Sequence, residues 1–372
     1  MNTLRDSSNN NEHRWSGLPD FPWDQLAPFV QQARRFKDGA IDLSVGTPVD
    51  PTPDVVTRAL SAHANAPGYP TTAGIPELAD TILQWSGRVL GAPQGAGFMP
   101  TIGSKEVVAG LPSLLGVGRG DRVVIPEIAY PTYEVGVIAA GAEVVRSDLP
   151  EDIGSTVTMA WLNSPSNPTG SVVGLDRLRT IVRWAQDNQV TLVSDECYFE
   201  LGWDAQPISI LSADVNDGDL TGLIAVHSLS KRSNMAGYRF GFIAGDPQII
   251  SRVLGIRKHL GMMLPTFVQH AAVAAYSDSD HVRDQREKYR SRRERLWNAL
   301  VQAGFDIEHS EAGLYLWATR KENCWATVAS LAERGIVVTP GEFYGAAGSN
   351  FVRVALTASD SDIAEACRRL TD

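Results

Sequence analysis

Short apolar runs alternate with stretches of helical periodicity between residues 42 and 261, and this alternation limits the possible folds more than any other feature of the chain. The predicted strands are residues 122–125, 143–146, 158–162, 190–194, 223–227 and 239–244. The predicted helices of this region are residues 104–115, 174–188 and 247–260. Apolar strands separated by amphipathic helices form a mostly parallel sheet with helices on both faces. We therefore predict an α/β fold built on one large sheet.

The remainder of the chain predicts a second, smaller α+β unit. Its expected helices are residues 281–302, 324–334 and 360–370, and its expected strands are residues 314–318, 336–339 and 351–355. A chain of 372 residues is also too long for one comfortable core. The predicted organisation is a disordered tail (1–14), an N-terminal arm that joins the small domain (15–45), a large domain (46–262), and connecting helices with the small C-terminal domain (263–372).

The N-terminal arm carries large apolar side chains among acidic residues, beginning at Trp15 and including Phe21 and Trp23. Such a segment binds either a membrane surface or its own fold or dimer partner. The acidic residues favour packing on the protein itself. No apolar run approaches ~18 residues, so we expect no transmembrane helix and no membrane partner.

Charge and cysteine content exclude several function classes. The chain has 43 acidic and 33 basic residues, a net charge of −10, which argues against nucleic acid as a partner. The basic stretch at 281–302 is interpreted as a solvated helix face. Three cysteines without CxxC spacing, and no recognisable signal peptide, predict a cytoplasmic protein. Without an HExxH motif or clustered histidines, we expect no metal.

The sequence Ser-Leu-Ser-Lys at 228–231, followed by Gly-Tyr-Arg at 237–239, suggests a covalently bound cofactor. Lys231 offers an amine that can bond to a cofactor aldehyde, and Ser228, Ser230 and Arg239 are suited to hold a phosphate beside it. A solvated loop with a helix cap would explain the same residues. We favour the cofactor because further motifs with matching chemistry precede it.

Three of these motif residues are suited to the ring of pyridoxal 5′-phosphate. Asp195 ends a predicted strand and can keep the cofactor's ring nitrogen protonated. Tyr198 and Asn167 can donate hydrogen bonds to the cofactor's phenolate oxygen. Each also has a structural explanation: a turn cap for Asp195, a half-buried phenol for Tyr198, and a plain Asn-Pro-Thr-Gly turn for Asn167.

Other residues are candidates for the phosphate, the ring face and the substrate. Gly103, Ser104 and Lys105 open a predicted helix, where backbone amides favour an anion, although Ser104 could equally be a helix cap. Tyr130 can stack on the pyridine ring. Arg353 lies in an apolar strand and is either a clamp for a substrate carboxylate or half of a buried ion pair.

From about residue 40 to residue 370 the chain resembles a fold-type I, class I/II pyridoxal-phosphate aminotransferase. The motif residues follow the family's order and spacing, and Gly46 and Tyr69 join them. The resemblance implies that residues 46–262 bind the cofactor. It implies that Tyr69 reaches the phosphate of a neighbouring subunit, which makes the protein a homodimer. It also implies that the backbone at Gly46, with Asn167 and Arg353, holds the substrate's α-carboxylate.

Within that family, the sequence from Ser228 to Asn234 and the Glu-Cys-Tyr at 196–198 resemble the actinobacterial N-succinyldiaminopimelate aminotransferases. This resemblance implies amino transfer between N-succinyl-LL-2,6-diaminopimelate and 2-oxoglutarate in lysine and diaminopimelate biosynthesis. Lys231 would then be the general base at the substrate's Cα, assisted by Asp195 and Tyr198. The distal carboxylates need a second cation, for which the candidates are Arg257, Lys258, Arg34 and Arg35.

Four other functions remain open or are excluded by specific features. An aminotransferase of another or broader amino acid range, or a pyridoxal-phosphate lyase, would use the same cofactor residues. An aminotransferase-like regulator would need a DNA-binding module, and only about 40 residues precede Gly46. A nicotinamide dehydrogenase is suggested by the glycine-rich run at 116–120, but that run precedes a strand and does not open a helix.

Overall fold

The computed structural model describes residues 18–153 and 156–372, so the predicted tail at 1–14 and the first residues of the arm, including Trp15, lie outside the described residues. The strands are β1 (Ile41–Asp42), β2 (Gly97–Ile102), β3 (Arg122–Ile125), β4 (Glu143–Arg146), β5 (Val157–Asn163), β6 (Thr191–Asp195), β7 (Leu223–Ser228), β8 (Phe240–Gly245), β9 (Asp306–Glu308), β10 (Tyr315–Thr319), β11 (Ile336–Val337), β12 (Thr339–Pro340) and β13 (Val352–Ala355).

The α-helices are α1 (Ala27–Ala33), α2 (Asp54–Ala62), α3 (Pro76–Trp85), α4 (Ser104–Leu114), α5 (Thr132–Ala140), α6 (Leu175–Asp187), α7 (Ala213–Asn216), α8 (Leu229–Arg232), α9 (Pro247–His259), α10 (Thr266–Ser277), α11 (Asp280–Gln302), α12 (Cys324–Glu333) and α13 (Asp360–Thr371). No helix in the described part of the chain is long and apolar enough to span a membrane.

The large sheet has seven strands in the order β2-β8-β7-β6-β5-β3-β4. The neighbours from β4 to β7 pair in parallel, while β8 is antiparallel to both β7 and β2. The side chains of β7 and β8 are buried throughout, as expected for strands that are covered on both faces. The predicted mostly parallel α/β fold is confirmed.

Helices cover the two faces of this sheet. On one face α4, α5 and α9 pack on the strands through residues such as Leu111, Val137 and Val253. On the other face α3, α6 and α10 contribute residues such as Ile82 and Ile181. Because β5, β6 and β7 run parallel, their carboxyl ends lie at the same edge of the sheet, where open α/β sheets bind their ligands.

A second, antiparallel sheet has the order β12-β13-β10-β9, and β1 pairs in parallel with β11 beside it. Its core contains residues from both ends of the chain, including Leu26 and Ile41 with Leu316, Val354 and Ile363. The N-terminal segment thus packs on C-terminal elements. We retain the division at residues 15–45, 46–262 and 263–372 as a proposal for the domain boundaries.

Several elements differ from the sequence-based expectation for physical reasons. The strand predicted at 239–244 begins one residue later, because Arg239 adopts a left-handed conformation with φ of 58°. The strand predicted at 336–339 is two short strands that belong to different sheets. Helix α5 was not predicted, since it is apolar around most of its circumference and shows little periodicity.

Candidate active site

A cleft of about 1280 Å³ lies at the carboxyl edge of the large sheet, where the second sheet approaches it. Most of the predicted site residues line it together: Gly46, Ser104, Lys105, Tyr130, Asn167, Asp195, Tyr198, Ser228, Ser230, Lys231, Arg239 and Arg353. Gly103 does not line the cleft itself but lies against the guanidinium of Arg239, which does. Tyr69 does not line the cleft and is 96% exposed.

The amine of Lys231 lies in this cleft, on the short helix α8 that follows β7. Its Nζ donates a hydrogen bond to the carbonyl oxygen of Gly46. Among the described residues it has no carboxylate partner within ion-pair distance. Burial lowers the pKa of the Lys231 amine, with Arg353 and Arg239 adding to the effect against an opposing contribution from Tyr315. A lysine with a lowered pKa is a better nucleophile and base near neutral pH.

Asp195 ends strand β6 with its carboxyl group buried. The Tyr133 hydroxyl donates to Oδ2 over 2.9 Å, and the Cys197 backbone N–H donates to Oδ1 over 3.2 Å. Burial raises the pKa of Asp195, although both hydrogen bonds oppose this effect. Within the described chain no Lys, Arg or His lies within ion-pair distance of the carboxyl group. A buried carboxylate in this setting is suited to a cationic ligand group.

The predicted phosphate-binding residues come from two neighbouring turns. Ser228 caps helix α8, and its Oγ accepts a hydrogen bond from the Ser230 backbone N–H over 3.1 Å. Gly103 precedes α4 with φ of 73°, and a Cβ atom there would lie 2.3 Å from Nη2 of Arg239. Glycine is therefore required for the guanidinium to approach this turn. The arrangement presents hydroxyl, amide and guanidinium donors, as a phosphate needs.

Arg353 is buried on β13 without a carboxylate partner among the described residues, which removes the alternative of a buried ion pair. Its Nη1 donates to Oδ1 of Asn167 over 2.8 Å, and its Nη2 donates to the carbonyl oxygen of Ser44 over 2.5 Å. Asn167 is in turn held by its backbone N–H, which donates to Oδ1 of Asn163 over 2.7 Å. A buried, uncompensated guanidinium is complementary to a substrate carboxylate.

Two tyrosines of the site were not assigned from the sequence. Tyr133 donates to Asp195, as described above, and Tyr315 opens strand β10 with its hydroxyl 3.2 Å from that of Tyr198. The centroid of the Tyr315 ring lies 3.9 Å from Cζ of Arg353. The repeated tyrosines at 130 and 133 were a visible signal for Tyr133. Tyr315 carried no comparable signal, since it comes from the second sheet.

The outer part of the cleft is lined by aromatic side chains from both ends of the chain. Phe21 and Trp23 pair with ring centroids 5.4 Å apart, and Trp23 lies 5.6 Å from Phe343, which in turn packs on Trp325. The exposed Lys105 places its Nζ 5.7 Å from the centroid of the Phe21 ring. The described part of the arm therefore packs on its own fold.

The four cations considered for the distal carboxylate do not lie in the cleft. Arg257 is buried and forms an ion pair with Glu106. Lys258, Arg34 and Arg35 do not line the cleft either. The expectation that one of them binds the distal carboxylate is thus not supported by the geometry. Two exposed lining cations have no ion pair among the described residues, Lys105 and Arg239, and Arg239 is already a candidate for the phosphate.

The residues present fit pyridoxal 5′-phosphate. The cleft contains an amine without an ionic partner, a buried carboxyl group that lacks a cation in the described chain, and a cradle of phosphate donors. These are the three groups that its aldehyde, its ring nitrogen and its phosphate require. In the described residues there is no cluster of three or more His, Cys, Asp or Glu side chains able to hold a metal ion.

The chain is similar to known aminotransferases over nearly its whole length, including both sheets. The family model "Aminotransferase class I and II" matches residues 38–370. The chain is 53% identical over 359 residues to a probable aminotransferase of Mycobacterium tuberculosis, covering 96% of this chain and 86% of that protein. It is 51% identical over 356 residues to the 4-dedimethylamino-4-oxo-anhydrotetracycline transaminase OxyQ of Streptomyces rimosus, covering 95% and 99% of the two chains.

More distant relatives match over the same length. The LL-diaminopimelate aminotransferase of Dehalococcoides mccartyi is 32% identical over 384 residues, covering 96% of this chain and 97% of that protein. The solved structure of an aminotransferase from Neisseria meningitidis superposes with a TM-score of 0.88 at 29% identity, covering 97% and 98% of the chains. None of these names is that of a succinyldiaminopimelate aminotransferase.

Proposed function

Since the chain belongs to the class I and II aminotransferases, whose enzymes depend on pyridoxal 5′-phosphate, we propose that it transfers an amino group between N-succinyl-LL-2,6-diaminopimelate and 2-oxoglutarate. Aminotransferases act on amino acids and 2-oxo acids, and the choice of these two substrates is the proposal. The observation that carries it is that one large cleft contains both Arg353 and a second cation, Lys105, neither of which has an ion pair among the described residues.

Both proposed substrates carry a carboxylate far from the reacting carbon. Arg353 is suited to the α-carboxylate, with Asn167 and the backbone of Gly46 as further donors. Lys105 is exposed at the cleft and is suited to the distal carboxylate, since it has no ion pair in the described chain. Ligand pockets are usually about 300–1,000 Å³. A cleft of 1280 Å³ leaves room for an N-acylated substrate beside the cofactor.

The relatives add independent support for a diaminopimelate substrate. The aminotransferase of Dehalococcoides mccartyi acts, by its name, on LL-diaminopimelate, the unacylated form of the proposed substrate. The acyl group replaces the distal ammonium of that compound by a neutral amide and a further carboxylate. An additional cation at the cleft is the change that such a substrate requires.

When bound, pyridoxal 5′-phosphate supplies an electron sink for the substrate's Cα and carries the amino group between the two half-reactions. Lys231 would hold the cofactor through its Nζ, and the same amine would serve as the general base for the proton on the substrate's Cα. The buried carboxyl group of Asp195, whose orientation is fixed by the hydrogen bond from the Tyr133 hydroxyl, would keep a proton on the ring nitrogen. Tyr198 would donate to the ring oxygen.

The remaining assigned residues position the cofactor. Gly103, Ser104, Ser228, Ser230 and Arg239 would hold the phosphate in this proposal, and Tyr130 would stack on the ring. Lys105, predicted from the sequence to lie at the phosphate with Gly103 and Ser104, is assigned here to the distal carboxylate instead. We further propose that the enzyme is a homodimer in which Tyr69 reaches the phosphate of the partner subunit. The 96% exposure of Tyr69 on one chain is compatible with a contact made in a dimer.

A second candidate substrate is a polycyclic ketone. OxyQ, by its name, acts on 4-dedimethylamino-4-oxo-anhydrotetracycline, and it is 51% identical to this chain over 99% of its own length. The aromatic wall formed by Phe21, Trp23, Trp325 and Phe343 could stack on planar rings. Lys105 would then have no carboxylate to bind, so its replacement separates the two candidates.

The proposal is tested by comparing kcat/KM for N-succinyl-LL-diaminopimelate, LL-diaminopimelate and the tetracycline ketone, with glutamate or 2-oxoglutarate as the partner and product oxo acid measured. We expect N-succinyl-LL-diaminopimelate to be the best substrate. In the Lys105→Met variant its KM should rise about 10-fold, because a hydrogen bond to a charged group contributes about 1.5–3 kcal/mol. The exposed Lys258 lies outside the cleft, so Lys258→Met is the matched control and should change nothing.

Four outcomes would contradict the proposal. Faster turnover of the tetracycline ketone would favour the second candidate. An unchanged KM in Lys105→Met would remove the proposed distal contact, and weaker cofactor binding in that variant would assign Lys105 to the phosphate. Consumption of substrate without an oxo acid product would indicate a lyase.

A further inference from the structure

Tyr315 contacts three parts of the site although no motif marks it. Its hydroxyl lies 3.2 Å from the hydroxyl of Tyr198, and its ring centroid lies 3.9 Å from the guanidinium carbon of Arg353. A Cβ atom at Gly46, whose carbonyl oxygen accepts from Lys231, would lie 2.0 Å from the Tyr315 hydroxyl oxygen. The Tyr315 phenol thus lies between the second sheet, which carries it, and Tyr198 in the turn after β6.

The contact geometry makes Tyr315 the hydrogen-bonding neighbour of a residue that faces the cofactor. Both phenols are buried, so water cannot take the place of either hydroxyl without a loss of stability. The stacking of the Tyr315 ring on Arg353 fixes the ring, and with it the direction of the hydroxyl group toward Tyr198.

We propose that Tyr315 is a positioning residue for the cofactor's ring oxygen, because its hydroxyl donates to the Tyr198 hydroxyl and directs the Tyr198 proton to that oxygen. The anionic ring oxygen is a stronger acceptor than a phenol, so the Tyr198 hydroxyl would donate its hydrogen bond to that oxygen when the cofactor is bound and would accept one from Tyr315. Tyr315 then completes a chain of two hydrogen bonds. In such a chain each bond strengthens the next one.

The charges around the two phenols act differently on their pKa values. Burial acts to raise the pKa of both phenols, and the neighbouring Tyr315 raises the pKa of Tyr198 further. For Tyr315 the cations Arg353 and Lys231 more than offset burial, so the pKa of Tyr315 lies below its ordinary value. The titratable or charged groups around the pair are Tyr130, Cys197, Lys231, Tyr289, Tyr344 and Arg353.

The inference is tested by titrating the visible absorbance of the cofactor-loaded enzyme with pH. The midpoint reports protonation of the nitrogen that joins Lys231 to the cofactor, and a well-bonded ring oxygen keeps that midpoint low. Tyr315→Phe should raise the midpoint by ~0.5 pH unit or more, since one hydrogen bond contributes about 0.5–1.5 kcal/mol and one unit is 1.36 kcal/mol. The variant retains the ring on Arg353, so we expect the enzyme to fold and load the cofactor.

Two further variants make the result specific. Tyr344→Phe is the matched control, because Tyr344 is also buried beside Arg353 and its hydroxyl has no hydrogen-bond partner among the described residues. Its midpoint should equal that of the unmodified enzyme. Tyr198→Phe should raise the midpoint further than Tyr315→Phe, and adding Tyr315→Phe to Tyr198→Phe should produce no additional shift.

The proposal is overturned by any of three results. These are an unchanged or lowered midpoint in Tyr315→Phe, an equal rise in Tyr344→Phe, or a further rise when Tyr315→Phe is added to Tyr198→Phe. The measurement needs no amino acid substrate, so its outcome is independent of the proposed preference for N-succinyl-LL-diaminopimelate.

Discussion

Single residues in the cleft owe their chemistry to burial more than to their own type. Burial lowers the pKa of Lys231 and raises the pKa of Asp195, so both groups are shifted toward their neutral forms in the protein alone. A neutral amine is the form that reacts with an aldehyde. A buried carboxyl group regains its charge when a protonated ring nitrogen pairs with it. The site is therefore electrostatically prepared for the cofactor that the family uses.

The lowered pKa of Lys231 predicts how cofactor loading depends on pH. Only the neutral amine reacts, so loading of the cofactor-free protein should accelerate as pH rises through the Lys231 pKa and then level off. Because that pKa is below 10.5, the plateau should begin at a lower pH than for Nα-acetyl-lysine with the same cofactor. Stopped-flow absorbance measures both rates. Coinciding pH profiles would contradict the prediction.

The parts of the site that follow strand ends could be predicted from sequence, and the parts supplied by packing could not. Asp195, Ser228 and Lys231 lie within or just after apolar strands, and a parallel sheet brings such ends together. Tyr315 is 117 positions from Tyr198 in the chain. Their contact exists only because the second sheet folds against the first. A lone tyrosine in an apolar strand gives no sign of such a contact.

At the scale of elements, a buried arginine on helix α11 forms ion pairs with two other parts of the chain. Nη1 and Nη2 of Arg292 each donate to the carboxylate of Asp50, over 2.7 and 2.8 Å, and Nε donates to Asp360 over 2.7 Å. These bonds from Arg292 link α11 to the segment before α2, through Asp50, and to α13, through Asp360. Removing one partner would leave an uncompensated buried charge.

Arg292→Met should therefore lower the free energy of unfolding by roughly 3–5 kcal/mol. Arg290→Met is the matched control on the same helix, since Arg290 forms an exposed pair with Glu287 and should change stability by less than about 1 kcal/mol. Urea unfolding of the cofactor-free proteins measures the difference. Equal destabilisation by the two substitutions would contradict the assignment.

The same pair predicts a response to acid. Although burial acts to raise it, the pKa of Asp50 lies below its ordinary 3.8, because Arg292 and Gln285 donate to the carboxylate. A depressed folded-state pKa stabilises the protein above the unfolded pKa, and this contribution is lost as pH falls through the folded value. The stability difference between the unmodified protein and Arg292→Met should accordingly shrink below about pH 4. A constant difference down to pH 2 would argue against the pair.

Periodicity located some of the half-buried elements, although helices α2 and α3, which also have one apolar face, were not predicted. Helix α6 has one apolar face, and its predicted bounds differ from the observed ones by a single residue at each end. Helices α5 and α10 are largely apolar, and they were missed because a helix buried on most sides lacks a polar stripe. Strand β1 has two residues and exists through its pairing with β11. Such an element has no local signal.

At the scale of the whole molecule, basic residues in the cleft counteract, near the site, the negative net charge of the chain. The chain has a net charge of −10, yet the cofactor and both proposed substrates are anions. The cleft is lined by five basic residues, Lys105, Arg146, Lys231, Arg239 and Arg353, against four acidic ones, Asp20, Glu134, Asp195 and Glu342, and Arg146 is paired with Glu134. Elements from both sheets and from the N-terminal segment supply its walls. The site therefore depends on the association of the two units.

The proposed dimer gives a prediction at this scale. The protein should have a mass of about twice 40.3 kDa in solution. Tyr69→Phe should weaken binding of pyridoxal 5′-phosphate about 10-fold through the lost hydrogen bond to the phosphate, without changing that mass. Light scattering and a cofactor titration measure the two quantities. A monomer that binds the cofactor fully, or unchanged affinity in Tyr69→Phe, would contradict the proposal.

The central claim is that Lys231 carries the cofactor of an aminotransferase acting on N-succinyl-LL-diaminopimelate. The most direct measurement is the visible absorption spectrum of the purified protein, titrated with glutamate and separately with N-succinyl-LL-diaminopimelate, with Lys231→Ala as the control. We predict a yellow protein that each amino donor bleaches and that 2-oxoglutarate restores, while Lys231→Ala shows no turnover. Bleaching by glutamate alone would contradict the proposed substrate. A protein that stays colourless with added cofactor, or an active Lys231→Ala variant, would contradict the role of Lys231.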